Sequence, residues 1–311
     1  MRVFVAGGTG VIGSPLVERL VAGGHDVAAS SRSRGGARTI TEQGANGVVL
    51  DALDADAVRR AVVEFGPDVV MHQSTAIDSI DPKRLDECFA ATNALRTTGT
   101  DNLVAAARAA GARRVIAQSF TGWTNQRGAA RARTEDEPFD RDPDPAASES
   151  LAAIEHLERV VTGTPSLDGV VVRYGNLYGP RTSFDSGGDN HRAVIERQFR
   201  IVAGGRGVWS FVHVDDAVEA TVLAMTGPPG VYNVVDDEPA AVREWLPDYA
   251  ATIGAKPPRK APGWIAKRMI GSHGLRLMTD ISGSSNERAK AQLGWSLEHP
   301  TWRGHLGPRS V

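Results

Sequence analysis

The stretch that decides the fold is the opening one, Arg2-Val3-Phe4-Val5-Ala6-Gly7-Gly8-Thr9-Gly10-Val11-Ile12-Gly13-Ser14-Pro15. Five residues of strand character run straight into four glycines, and Ser14-Pro15 then opens a helical pattern. Glycine is required here for physical reasons. The backbone must turn tightly, approach a pyrophosphate closely and let the helix pack against the strand. A helix N-terminus placed there points free N–H groups and the positive end of its dipole at the phosphates. A glycine triplet alone is weak support for a nucleotide site, but a strand before it and a helix after it make the reading strong. The turn names Gly7, Thr9, Gly10, Val11, Ile12 and Gly13 as dinucleotide-binding candidates.

Strand and helix patterns alternate from this turn onward. Strands are expected at Arg2–Ala6, Asp26–Ser30, Gly47–Leu50, Val69–His72, Val115–Gln118 and Gly169–Arg173. Helices are expected at Pro15–Ala22, Ala55–Glu64 and Arg84–Ala110, and an amphipathic one over SESLAAIEHLE from Ser148 to Glu158. Asp144-Pro145 is read as that helix's start and Gly163 as its stop. Such alternation predicts an α/β, Rossmann-type doubly wound parallel sheet. Later elements are expected as a helix at His191–Val202, a strand at Trp209–Val212, a helix from Asp215 and a strand at Val231–Val235. Thr124–Ala147, rich in Arg, Asp and Pro, reads as a flap or surface insertion, with Arg127, Arg131 and Arg133 answered by Glu135, Asp136 and Glu137.

A net charge of −2 gives no reason to expect a nucleic-acid or anionic-membrane partner. Cys88 is the only cysteine, which excludes an intrachain disulfide and thiolate metal clusters. The eight histidines are scattered without ligand spacing, so no metal is expected. The chain starts directly with a strand, leaving no room for a signal peptide, and no apolar run approaches the ~20 residues of a membrane span. A cytoplasmic protein is expected.

The second strand ends in Ser31-Arg32-Ser33-Arg34. An NAD site carries a carboxylate there, about 20 residues beyond the glycines, to hold the ribose 2′-hydroxyl. Here two guanidiniums stand ready to pair with a 2′-phosphate, so NADP(H) is expected over NAD(H). Asp51, after the third strand, can accept from an adenine amino group or cap the next helix.

With these residues in view, the chain resembles the extended short-chain dehydrogenase/reductase superfamily, the NAD(P)-dependent epimerase/dehydratase group. AGGTGVIG, DVVMHQST, GTDNLVAAARAAGARRVI, VVRYGNLYGP, FVHVDDAVEA, VYNVVDDEP and LGW are each similar to a family marker, and they occur in order over nearly the whole length. The resemblance implies a nucleotide-binding domain (1–174 plus about 208–236) and a smaller substrate domain (about 175–207 plus 237–311). It adds Ala52, Gln73, Ser74, Thr75 and Asn176 to the cofactor-binding candidates, and it implies a homodimer. It also implies Ser or Thr after the fifth strand and Tyr-x-x-x-Lys on the next helix, the Tyr moving a proton and the Lys lowering its pKa while holding the nicotinamide ribose.

The chain departs from that last pattern. None of Tyr174, Tyr178, Tyr232 and Tyr249 has a lysine four residues on. Aligning Glu158 with the family's glutamate puts Ser150 at the Tyr position and Ile154 at the Lys position; Phe120 falls on the usual serine, and Arg96 on the usual helical Asn. The polar residues left for catalysis are Ser119, Thr121, Ser150 and Tyr174, with His213 more remote. Trp209 takes the place of an arginine that holds a sugar nucleotide's diphosphate, and Trp123 is the other candidate for the substrate wall, unless both are packing residues. The expectation is an atypical NAD(P)-dependent oxidoreductase or epimerase-like enzyme, acting on a small substrate other than a nucleotide sugar. The alternatives are a catalytically silent NADP-binding sensor or scaffold, and a non-redox cyclase or isomerase on the same fold.

Overall fold

The computed structural model describes residues 1–77, 80–129 and 132–307, so Arg131 lies outside the described residues. In chain order the elements are β1 (Arg2–Ala6), α1 (Gly13–Ala22), β2 (Asp26–Ser31), α2 (Arg34–Glu42), β3 (Asn46–Val49), α3 (Ala55–Phe65) and β4 (Val69–His72). Next come α4 (Leu85–Cys88), α5 (Ala90–Ala94), a π-helical turn at Leu95–Gly99, α6 (Thr100–Ala109), β5 (Arg114–Phe120), α7 (Ser148–Gly163) and β6 (Asp168–Tyr174). The remainder carries β7 (Asn176–Tyr178), α8 (Asp189–Ile195), β8 (Ile201–Val202), β9 (Val208–Trp209), β10 (Phe211–His213), α9 (Val214–Leu223) and β11 (Gly230–Val234). The last elements are β12 (Ala240–Ala241), α10 (Val242–Thr252), β13 (Lys260–Ala261), α11 (Gly263–Thr279) and α12 (Glu287–Leu293).

Seven strands form one parallel sheet in the order β11-β6-β5-β4-β1-β2-β3. The expected Rossmann-type sheet is therefore present, and the chain reverses its direction of travel between β1 and β4. That switch point opens a crevice at the carboxyl ends of the two strands, the place where such sheets bind ligands. Alternate strand residues divide between two cores. Val3, Val5, Met71, Ile116 and Val172 meet α1, α9 and α12, while Phe4, Val70, Val115 and Val171 meet α3, α6 and α7. A separate core of Tyr178, Phe184, Phe211, Trp245, Tyr249 and Trp302 gathers beyond the sheet.

Several expected elements are corrected. Arg84–Ala110 is not one helix but four pieces, with the π-helical turn at its centre. The helix expected at His191–Val202 stops at Ile195, and Ile201–Val202 pairs instead with Lys260–Ala261. Trp209–Val212 divides at Ser210: Val208–Trp209 pairs with Ala240–Ala241, and Phe211–His213 with Asn176–Tyr178. The insertion Thr124–Ala147 is anchored where it is described. Arg133 N donates to Gly283 O at 2.7 Å, and the Glu135 carboxylate accepts from Asn233 N at 2.7 Å.

Asp144-Pro145 does not start α7 either; the helix begins at Ser148 with no capping side chain of its own. Asp86, from α4, caps it at long range, its carboxylate accepting from Glu149 N at 3.0 Å and Ser150 N at 2.8 Å. Two turns on, Glu158 fastens the helix to the sheet. Arg173 of β6 donates to its two oxygens at 2.8 and 2.6 Å, and Ser119 Oγ of β5 donates at 2.6 Å. All three side chains are buried.

Removing one partner of a buried ion pair leaves an uncompensated charge, which costs about 3–5 kcal/mol. Glu158→Ala is expected to lower unfolding stability in urea by that amount. Glu158→Leu combined with Arg173→Met should recover most of it, because both charges then leave the interior. A loss under about 1 kcal/mol in the single variant contradicts this account of how α7 is held.

Candidate active site

The glycine turn forms one lip of the crevice. A Cβ on Gly13 would stand 2.0 Å from Gly7 O, and one on Gly7 would meet the Gln73 backbone at 2.8 Å. Gly7 also has φ 89°, a left-handed conformation that glycine adopts at little cost. Gly10 is exposed, and a Cβ there would meet nothing closer than 3.5 Å. Helix α1 opens behind Ile12 without a side-chain cap; Ser14 N donates to Gly10 O at 3.0 Å and Pro15 has no N–H, so Gly13 N is the first-turn donor turned toward a ligand. Thr9, Val11 and Ile12 complete the turn, and the exposed Arg181 reaches it from beyond β7, Nη2 donating to Thr9 O at 3.0 Å. Sequence reading missed Arg181, because 172 residues separate it from its partner.

At the end of β2, Arg32 and Arg34 are exposed, with no ion pair among the described residues. Ser33 Oγ caps α2 by accepting from Gly36 N at 3.0 Å, and Ser31 lies against Gly36. Asp51 does not cap the next helix: Asp54 does, accepting from Ala57 N at 2.9 Å, while Asp51 Oδ1 closes a turn by accepting from Leu53 N at 3.0 Å. Ala52 is buried, its carbonyl accepting from Asn102 Nδ2 at 3.0 Å.

The opposite lip is the chain leaving β4. His72 Nε2 lies 3.0 Å from Leu95 O and Nδ1 is 3.3 Å from Ser74 N, so one imidazole ties the π-helical turn to the segment Gln73, Ser74 and Thr75 that follows β4. Those bonds fit the tautomer with the proton on Nε2. Burial, with the Arg96 charge in a smaller part, pulls the His72 pKa down to about 4, against the Leu95 carbonyl bond. Gln73 is buried, and its Nε2 has no hydrogen-bond partner. Asn176 Nδ2 donates to Ser210 O at 3.0 Å, which holds β7 beside β10.

The structure gives every candidate catalytic hydroxyl a partner within the protein. Ser119 belongs to Glu158, as above. Thr121 Oγ1 lies 2.6 Å from Ser284 Oγ and is completely buried. Ser150 Oγ donates to Asp86 at 2.6 Å and accepts from Asn93 Nδ2 at 3.0 Å. Tyr174 OH lies 2.6 Å from Thr221 Oγ1, and burial pushes its pKa up to about 12. Phe120 and Ile154 bring no polar group to this region.

Of the two tryptophans, Trp209 is corrected to a core residue. Its ring lies 5.0 Å from Trp245 and its Nε1 donates to Leu277 O at 2.9 Å, so the indole is buried and turned from the crevice. Trp123 is half-buried, 6.2 Å from Phe120 and 5.5 Å from His273, and with Ala147, Arg127 and Arg276 it lines a small cavity. Chain spacing also hid a cluster: His213 and His299 stack at 3.8 Å, and with Asp215 they form a group of ligand-type atoms within 4.8 Å of one another. His213, not Asp215, caps α9, Nδ1 accepting from Asp215 N at 3.2 Å. His299 lies 3.3 Å from Asp216, a link between the C-terminal segment and α9.

His72 makes a pH prediction. Its pKa is lower folded than unfolded, so its stabilising contribution is present above pH ~6.5 and lost as pH falls toward ~4. His72→Gln should therefore flatten the fall of urea stability between pH 6.5 and 4 relative to the native chain. Parallel curves would show that His72 does not drive it.

A profile of the NAD dependent epimerase/dehydratase family matches residues 3–234. A 3-diazoavenalumate denitrifying reductase from a Streptomyces species is 45% identical over 311 residues, 99% of each chain. UDP-glucose 4-epimerase of Mycolicibacterium smegmatis is 30% identical over 310 residues, 95% of this chain and 93% of that one. Among solved structures, the Thermus thermophilus UDP-glucose 4-epimerase complex with NAD superposes with a TM-score of 0.74 at 28% identity, covering 98% of this chain and 96% of that one. From its glycine turn to its seventh sheet strand, this chain belongs to the NAD dependent epimerase/dehydratase family.

Proposed function

We propose that this protein is an NADP(H)-preferring reductase that delivers hydride to a small diazo-bearing carboxylate, with no side-chain proton donor at the reacting carbon. One observation carries the reading. Ser119, Thr121, Ser150 and Tyr174 are all buried and hydrogen-bonded within the protein, and the positions where the family keeps its acid–base pair hold Ser150 and Ile154. A ketone reduction without a positioned acid forfeits typically ~10²–10⁴ in rate. A carbon-bound diazonium makes no such demand. Bound in the crevice, NAD(P)H would supply a hydride, and loss of N₂ from the carbon receiving it would balance charge and atoms without a proton. The chemistry in the name of the 45% identical Streptomyces reductase supports this substrate class.

The residues fit the cofactor. The uncrowded face of Gly10 and the uncapped start of α1 would receive the pyrophosphate. Arg32 and Arg34 would pair with a 2′-phosphate, with Ser31 beside them, and Ala52 and Asp51 would border the adenine. Gln73, Ser74 and Thr75 would line the nicotinamide half, and Trp123 the substrate side. The same reading assigns 1–174 plus about 208–236 to dinucleotide binding and about 175–207 plus 237–311 to the substrate, supported by the separate core around Trp245.

The test is a stirred assay with a conjugated diazonium carboxylate, following cofactor absorbance at 340 nm and gas release. NADPH consumption with equimolar N₂ is expected, with deuterium from 4-deuterated NADPH retained in the product. Arg32→Ser with Arg34→Ser should raise the KM for NADPH about tenfold or more and leave that for NADH nearly unchanged. Reduction of simple ketones in preference to the diazonium, or cofactor binding without consumption, would overturn the reading.

A further inference from the structure

Arg96 is a buried cation without a counter-ion of its own. It stands on the π-helical turn, 7% exposed, and Nη1 has no hydrogen-bond partner. Its guanidinium carbon lies 5.8 Å from the Phe89 ring centroid. The buried carboxylate nearest to it in charge is Glu158, whose oxygens are already taken by Arg173 and Ser119. His72, on its other side, is neutral. Arg96, Arg173, Glu158 and His72 thus leave one uncompensated positive charge in the interior. Burial lowers the Arg96 pKa only to about 10, so the group stays charged at neutral pH. An isolated buried charge is strongly unfavourable unless something pairs with it.

Its position says what that something is. Leu95, the residue before Arg96, accepts from His72 at the end of β4, on the β4–β5 side of the switch-point crevice. The glycine turn forms the β1 side. A dinucleotide whose pyrophosphate meets α1 therefore extends its second nucleotide toward Arg96. The side chain faces α7 between two fixed contacts: Asn93, one turn earlier, bonds Ser150, and Arg96 itself is drawn to Glu158. Ile154 lies between Ser150 and Glu158 on the same helical face and offers no charge. One further buried atom one turn earlier lacks a partner, Asn93 Oδ1. Buried polar atoms without partners are uncommon, and two on successive turns at one π-helical turn mark a place where a ligand completes the bonding.

We propose that Arg96 is the cation that binds the nicotinamide-side ribose and phosphate of the cofactor, a role that no residue of α7 can fill in this chain. It is a binding and positioning residue, and the proposal rests on the cofactor reading above.

The test measures binding and stability in the full chain. Calorimetric affinities for NADPH, NADH and 2′,5′-ADP, the adenosine half alone, are compared in the native protein, Arg96→Met and Arg96→Lys. Arg96→Met should weaken NADPH binding about tenfold or more, leave 2′,5′-ADP binding within twofold, and keep or raise the ligand-free melting temperature, because an unpaired charge has left the interior. Arg96→Lys should retain most of the NADPH affinity and shows that the fold tolerates change at this site. Unchanged NADPH affinity in Arg96→Met, or equal loss of NADPH and 2′,5′-ADP with a lowered melting temperature, overturns the proposal and assigns Arg96 a structural role. A native protein that binds neither NADPH nor NADH overturns the cofactor reading itself.

Discussion

Glu158 accepts three buried hydrogen bonds on its two carboxylate oxygens. Arg173 takes both, and Ser119 shares one of them. Three consequences follow from that one buried cluster. It holds α7 against β5 and β6 at the carboxyl end of the sheet. It engages Ser119, one of the four hydroxyls the sequence offers for catalysis, inside the protein. It leaves Arg96 with an attraction to Glu158 but no hydrogen-bonded partner, and so with charge to offer a ligand.

The candidate hydroxyls of the rest of the site are arranged on the same principle, bonded inward, with the crevice edged by backbone and cations. Ser150 joins Asp86 and Asn93, Thr121 joins Ser284, and Tyr174 joins Thr221. What faces the switch point is the glycine turn, Arg181 above it and the guanidiniums after β2. Such a surface suits a polyanionic cofactor and gives it orientation. On the proposed reading the chemistry belongs to the hydride, and the protein contributes placement and exclusion of water.

Much of the sheet was legible in the sequence because its signals are local. Parallel strands buried on both faces read as short apolar runs, and β1, β2 and β4 start and end within a residue of where the pattern puts them. The glycine turn was legible because backbone crowding, as at Gly13 against Gly7, can be met by only one residue type. The misses share a different cause. Asp86 caps a helix 63 residues away, Arg181 meets Thr9 across the crevice, and His213 stacks on His299. Ile201–Val202 has helix-compatible residues but gains a strand partner at Lys260–Ala261. Trp209 looked like a ligand wall only until the aromatic cluster around Trp245 was in place. In each case tertiary contact outweighs local pattern.

The central claim, that the reaction proceeds without a proton from the protein, is tested most directly by isotope effects on a single turnover with the diazonium carboxylate. A primary effect with 4-deuterated NADPH, a solvent effect near one in D₂O and a rate independent of pH from 6 to 9 are the predicted result. A solvent effect of about two or more together with a bell-shaped pH profile would contradict it, because a group that titrates would then be giving up a proton in the transition state.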